Sequence, residues 1–399
     1  MNRATGGHDV ICFCGTDWWY QNRAHSDFQW MTRVARTRKV LAVNSIGMRM
    51  PMPGKSTMPF RRIWRKVRSA MRGLRRPLPD VPGFAVMTPA LIPFYGNATA
   101  RRWNARLVRA QVERAARRLG IVSPHVIVTP PTAFDVAKDM PRATLAYNRS
   151  DRHAAFAEAP GGLIADLEEK LFRTADLVLY SSRALLEAER ARVGDRGRFL
   201  DHGIDLERFR SCRCRRGALE ARGIRRPIVG FFGGIENYVV DIDLLERVAV
   251  AHPEWSLVLI GDAALPMDRL TRHPNVHWLG FRPYEEIPRL GADFDVALMP
   301  WLDNDWISAC NPIKLKEYLA LGLEIVTTPF PEAEHYRDLL HIARGPRDFV
   351  AAIEAVLGGR RAGGDRDAVL ERADWQARAD ELLDLLDAAA ARASGGLRA

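Results

Sequence analysis

Short apolar runs recur along the first half of the chain, at Asp9–Cys14, Lys39–Val43, Phe84–Thr88, His125–Thr129, Ala143–Tyr147 and Asp176–Ser181. Amphipathic or charged stretches separate several of them. Brief apolar runs bounded by turn residues read as strands buried on both faces. Alternation with helical stretches is the pattern of a parallel, doubly wound α/β sheet. The second half repeats it at Pro227–Phe232, Ser256–Gly261, Val276–Leu279, Phe294–Met299 and Glu324–Thr328. The Arg-rich stretch Ser211–Arg226 reads as a linker between the halves. The expected architecture is two Rossmann-like domains facing across a cleft, at residues 1–205 and 206–372. Ligands of such sheets bind beyond the carboxyl ends of the strands. Residues 373–399 form a last helix and tail, with Trp375, Ala379, Leu382, Leu383, Leu386 and Ala389 at helical spacing.

Pro59–Arg76 carries a different pattern. Phe60, Ile63, Trp64, Val67, Met71 and Leu74 fall on one helical face, and the remaining positions include eight cations and no acid. A basic helix with an apolar Trp/Phe face can lie in the headgroup region of an anionic membrane. Each cation there contributes about 1 kcal/mol. The alternative is a helix whose apolar stripe packs on the core.

Composition adds to this picture. A chain of 399 residues, 47% apolar and 27% charged, suits two globular domains. No run approaches the ~18 apolar residues of a membrane span. Met1–His8 is polar, so no signal peptide is expected, and the expected place is the cytoplasm. The net charge of +11 is uneven: residues 1–200 hold 34 basic against 16 acidic side chains, residues 201–399 hold 25 against 32. Only the first half is expected to meet an anionic surface. The five cysteines form neither a zinc spacing nor an even disulfide set. Cys12 and Cys14 share a strand face and read as packing residues.

Two decoys fall away. Gly54-Lys55-Ser56-Thr57 imitates the end of a phosphate-binding loop, but Arg49 stands where that loop needs a glycine. No G-x-G-x-x-G follows the first strand, which disfavours a nicotinamide dehydrogenase. No nucleic-acid module appears.

The segment Asn311–Gly322, NPIKLKEYLALG, carries the clearest chemistry. Pro312 can open a helix, and Lys314 and Glu317 then share a face near its N-terminus. A helix start favours phosphate, lysine adds a charge, and a carboxylate one turn on can accept two ribose hydroxyls. The plainer alternative is an intrahelical Lys–Glu pair.

P-x-K-x-x-E-Y-L-A-x-G resembles the nucleotide-sugar motif of GT-B glycosyltransferases of family-4 type. The resemblance implies that Glu317 binds the ribose and that Lys314 lies near the diphosphate. It also implies that the last helix, 373–399, crosses back to pack on the first domain; a plain surface helix on the second domain is the alternative for it. Leu323-Glu324 departs from the usual residues before the next strand. PIVGFFGG at Pro227–Gly234 is similar to the family's first strand and glycine loop, with Gly233 and Gly234 at the diphosphate. The basic residue common after that loop is absent; Glu236-Asn237-Tyr238 stands there. VHWLGF, ending at Phe281, resembles the base-binding turn. Pro312, Ile313 and Asn237 complete the expected donor site. In the first half Gly15, Thr16, Asp17, Trp18 and Trp19 form the expected acceptor or cleft loop. Trp18, Trp19 and Tyr20 either stack on sugar or anchor that loop. Gln21-Asn22-Arg23 resembles the "Q-R-P" of polysaccharide-assembly transferases, with Arg23 toward an acceptor phosphate. YNRSDRH resembles a stretch of the glucuronosyltransferase of xanthan assembly. For an inverting transfer it implies Asp151 as the base, then His153; a helix cap is the alternative for Asp151.

The expected function is a peripheral, metal-independent glycosyltransferase on the inner membrane face. It would move a hexosyl or glycuronosyl group from a UDP- or GDP-sugar to a lipid-linked saccharide in exopolysaccharide or cell-wall polymer synthesis. No cofactor and no nucleic-acid partner are expected. The alternatives are a UDP-sugar epimerase on the same fold and a non-catalytic sugar- or nucleic-acid-binding protein.

Overall fold

The computed structural model describes residues 7–20, 25–46, 64, 68–91, 98–151 and 161–395. The chain forms two compact units: Met1–Asp201 together with Trp375–Ala399, and His202–Asp374. The junctions thus lie at 201/202 and 374/375, beside the expected 205/206 and 372/373.

The first unit is built on seven parallel strands. They are β1 Val10–Phe13, β2 Val40–Val43, β3 Phe84–Met87, β4 His125–Val128, β5 Thr144–Arg149, β6 Leu177–Tyr180 and β7 Gly197–Phe199, in the order β3-β2-β1-β4-β5-β6-β7. Their continuous apolar runs follow from burial on both faces. The order reverses between β1 and β4, where α/β sheets open a crevice at their carboxyl ends. Helix Trp375–Gly395 belongs to this unit. Its apolar positions Trp375, Ala379, Leu382 and Leu386 are all buried. Trp375 meets Trp30 edge-on, with centroids 6.3 Å apart. Asp387 on this helix ties back to the sheet through His125 Nε2 at 2.9 Å and Arg38 at 3.2 Å.

The second unit carries β8 Ile228–Phe232, β9 Ser256–Ile260, β10 Val276–Trp278, β11 Val296–Met299, β12 Ile325–Thr327 and β13 His341–Ile342, all parallel, in the order β10-β9-β8-β11-β12-β13. Its switch point lies between β8 and β11. The edge strands β7 and β13 have only three and two residues, too few to stand out as apolar runs.

One expectation fails here. Ser211–Arg226 is not a linker but part of the second unit. Asp293, fully buried, accepts the backbone N–H groups of Gly217 and Leu219, both at 2.5 Å. Arg226 donates to Asp295 at 2.6 Å, and Leu219 and Ile224 are buried. A high arginine content suggested exposure, but the acids that order this stretch lie about 70 residues away in sequence. Cys12 and Cys14 are free and buried, their Sγ atoms 3.9 Å apart. Burial pushes the Cys14 thiol well up, so both pack as small apolar groups.

Candidate functional site

The carboxyl ends of β8, β9 and β10 converge on glycines. Gly233 N–H donates to Ile260 O at 2.9 Å, and Gly261 N–H donates to Gly280 O at 2.9 Å. Gly233 has φ +140° and Gly261 φ +152°, backbone that side chains rarely adopt. A Cβ on Gly261 would lie 1.8 Å from Gly233 O, so the two loops touch backbone to backbone. Gly234 is exposed just beyond, and Asn237 sits in an exposed turn.

Helix Ile313–Ala320 starts after Pro312, whose extended φ of −80° fits the N-cap position. Leu315, Tyr318 and Leu319 face the core of the second unit. Tyr318 Oη accepts the N–H of Phe232 at 3.0 Å, tying the helix to the end of β8. Lys316 is buried and donates to His202 O at 3.1 Å. These anchors fix Lys314 and Glu317 on the remaining face.

Lys314 packs against Gly233: a Cβ there would come within 2.5 Å of Lys314 Nζ. The ammonium sits 4.7 Å from the centre of the Phe231 ring and 5.6 Å from that of Trp301, within cation–π range. Burial lowers its pKa to about 8, against the opposing pull of Glu317 and Cys310. Lys314 is half-buried and Glu317 buried, and burial raises the Glu317 carboxyl to about 7, against the opposing effects of the Tyr284 hydroxyl and Lys314. Tyr284 Oη donates to Glu317 Oε1 at 2.8 Å. The plain Lys–Glu pair is not formed among the described residues; the ammonium lies on aromatic rings and the carboxylate on a phenol. Two opposite charges, both penalised by burial, stand at a glycine loop against which the Lys314 side chain lies. This arrangement can take a ligand carrying negative charge near Lys314 and hydroxyl donors near Glu317.

Around it, Phe281 is 66% exposed, and Trp278 Nε1 donates to Gly261 O at 2.9 Å. Ile313 is half-buried. Tyr284, Trp301 and Gly261 were not among the expected site residues. Tyr284 is separated from Glu317 by 33 positions, and only the fold joins them.

The first unit resolves one ambiguity. Trp18 is buried, packed on Phe28 at 5.1 Å and Phe84 at 5.0 Å between centroids. Its backbone N–H donates to Asn44 Oδ1 at 2.9 Å. It therefore anchors the loop and presents no face to a sugar. Trp19 is half-buried beneath the Arg72 guanidinium, 4.5 Å from its ring centre. Ser45 N–H donates to Thr16 O at 3.1 Å, and Asp17 accepts from Ser69 Oγ at 3.0 Å. Gly15 N–H donates to buried Asp27 at 2.7 Å; Asp27 also accepts from Thr129 at 2.9 Å and Asn148 at 3.0 Å. This network joins the chain after β1 and β4 to β5 through one buried carboxylate, which has no local signal in the sequence. Asp151 follows β5, half-buried, its carbonyl held by Arg149 at 2.5 Å. Arg149 is itself clamped between Glu168 and Glu189. Arg23, His153, Phe60, Ile63 and Val67 lie outside the described residues. Trp64 and Met71 are exposed, but the helix expected to reach Arg76 ends at Met71. Gly73 has φ +61°, Arg75 bridges to Val86, and Leu74, expected on the same apolar face, packs on the core of the first unit. Among the described residues no cluster of three His, Cys, Asp or Glu could hold a metal ion. No described helix is long and apolar enough to cross a membrane.

Residues 226–358 match the family model of glycosyl transferases group 1. TuaH of Bacillus subtilis (strain 168), a glycosyltransferase named for teichuronic acid biosynthesis, is 27% identical over 231 residues, 53% of this chain and 58% of its own. The chain thus spans under two thirds of that relative's length. Among solved structures, Anabaena Alr3699/HepE in complex with UDP and glucose aligns over 95% of this chain and 99% of its own, with TM-score 0.61 and 14% identity. The α,α-trehalose 6-phosphate synthase of Burkholderia multivorans aligns over 97% and 100%, with TM-score 0.64 and 14% identity. The fold is that of the GT-B glycosyltransferases.

Proposed function

We propose that this chain, whose second unit carries a glycosyl transferases group 1 domain, transfers a sugar from a nucleoside-diphosphate sugar to a saccharide acceptor. The observation that carries the reading is the convergence of Gly233, Lys314 and Glu317 at the carboxyl end of β8. Gly233 and Gly234 admit a diphosphate to the backbone, Lys314 stabilises its charge as it leaves, and Glu317 accepts the ribose hydroxyls. Asn237, Phe281, Pro312 and Ile313 border the same end of the sheet. The UDP complex of the HepE structure favours a uridine donor. The name of TuaH favours an acceptor in an acidic polysaccharide, and the reading adds that this acceptor is carried on a lipid at the inner membrane face. Asp151 is the proposed base for the acceptor hydroxyl, with His153 its alternative and Arg23 near an acceptor phosphate.

A thermal-shift series with UDP and GDP tests the reading. A ligand at 100 times its Kd stabilises by about 2.7 kcal/mol, and neither nucleotide moving the midpoint would sink it. UDP release from a UDP-sugar, dependent on added acceptor, tests transfer itself. Asp151→Asn is expected to lower that turnover at least about a hundredfold; near-normal turnover removes Asp151 from the mechanism. Tyr284→Phe is expected to weaken UDP binding only about fivefold at pH 7, the loss of one hydrogen bond of about 1 kcal/mol. The loss should shrink at pH 9, where Glu317 is ionised with or without the phenol. Isothermal titration at both pH values measures it.

A further inference from the structure

We propose that the outward face of helix Ala98–Leu119 seats against an anionic lipid surface. This goes beyond the donor site and does not depend on it. The helix presents one side to the core of the first unit through Val108, Val112 and Ala115. The other side is solvent-facing. Arg102, Arg106, Arg114, Arg117 and Arg118 are all exposed there. Trp103 and Leu107 stand among them, 61% and 44% exposed. At 100° per residue these seven side chains span an arc of about 160°, and no acidic residue is exposed on the helix.

The arginines divide into two sets. Arg101 and Arg109 lean toward the protein and are neutralised, at 3.2 Å from Asp135 and 3.1 Å from Asp139. The five outward arginines form no ion pair among the described residues. The fold thus satisfies the cations on its own side and leaves the outer ones uncompensated.

A second basic stretch joins the same edge. Ser69 Oγ lies 2.5 Å from Thr88 Oγ1. Two residues on, Gln111 of the helix clasps Ala90 through both its N–H, at 2.9 Å, and its carbonyl, at 2.8 Å. Arg68, Met71 and Trp64 flank Ser69, all exposed, Trp64 to 62% and Met71 to 68%. Two exposed tryptophans and a row of arginines without an ion pair among the described residues therefore flank Thr88–Ala90.

The apolar residues select the partner. A nucleic-acid backbone would use the arginines, but it offers nothing that removes Leu107 from water. A bilayer surface accepts Trp and Leu into its headgroup and acyl boundary while anionic lipids meet the arginines.

Flotation of the full chain with phosphatidylcholine vesicles, with and without phosphatidylglycerol, tests the proposal. The protein is expected to float only with phosphatidylglycerol and to be released by salt. Combined R102Q, R106Q and R114Q substitutions should lower partitioning about a hundredfold, roughly fivefold for each cation. Combined W103A and L107A substitutions should lower it at least about tenfold. Urea midpoints of both variants should match the unaltered protein, because the substituted side chains leave the core untouched. Failure of the unaltered chain to float with phosphatidylglycerol overturns the proposal. So does unaltered flotation of both variants, or binding to duplex DNA that survives W103A and L107A in a chain that does not float.

Discussion

Replacing Glu317 by glutamine is expected to weaken UDP binding about a hundredfold and, at pH 8, to make the unliganded protein more stable. The two effects share one cause. Glu317 is buried, and its carboxyl is raised from 4.5 to about 7. An acid raised in the folded state contributes stability that is complete below its unfolded pKa. That stability is lost as pH climbs through the folded pKa. The wild-type protein should therefore lose stability between pH 4.5 and about 7 through this group and stay at the lower level above. A shift of that size corresponds to about 3 kcal/mol. Glutamine keeps the acceptor for Tyr284 Oη and never ionises, so the slope should vanish. Hydrogen bonds from ribose hydroxyls to a charged acceptor are worth about 1.5–3 kcal/mol each. Losing the charge costs the ligand what it spares the apo protein. Urea midpoints across pH, with isothermal titration of UDP at pH 8, check both halves. A variant that binds UDP normally, or is less stable at pH 8, contradicts the assignment.

This trade-off was only half visible in the amino-acid sequence. NPIKLKEYLALG displays the helix, the shared face of Lys314 and Glu317, and their order after PIVGFFGG. Those are local properties, set by spacing along a helix. Burial is not local. Glu317 loses its water in the folded unit, where the phenol of Tyr284, 33 positions away, lies against it. The same limit applies to Trp18. Its neighbours in sequence allow either an exposed stacking ring or an anchor, and Phe28 and Phe84 decide for the anchor. Gly261 looked like the end of a strand; the 1.8 Å approach to Gly233 O that forbids a side chain is a property of two loops together. Ser211–Arg226 misled for the converse reason. Its arginines have the composition of an exposed linker, and the carboxylates that fold it in, Asp293 and Asp295, come from another part of the chain. Strands, by contrast, were legible because parallel strands must be apolar on both faces.

Lys314→Met should act on the other half of the donor. Methionine keeps an unbranched side chain over Phe231 and Trp301 and removes only the charge. The ammonium is lowered from 10.5 to about 8 by burial. A base lowered in the folded state costs stability below its folded pKa, and the cost disappears as pH rises above the unfolded value. At pH 7 the variant should therefore unfold at an equal or higher temperature than the wild type. Its UDP affinity should fall about a hundredfold or more, since a lysine–phosphate contact combines a charged hydrogen bond with attraction in a poorly solvated site. Proton linkage separates this role from simple packing. At pH 8 the apo ammonium is about half protonated, and an adjacent diphosphate would draw it fully to the charged form. Binding of UDP at pH 8 should then take up about half a proton. Glu317, near 7, is already about nine-tenths ionised there and contributes little. Titration in two buffers of different ionisation enthalpy measures the uptake. It should be present in the wild type, retained in Glu317→Gln and absent in Lys314→Met. Uptake that persists without the ammonium would place the diphosphate against some other group and leave Lys314 a packing residue of the β8 loop.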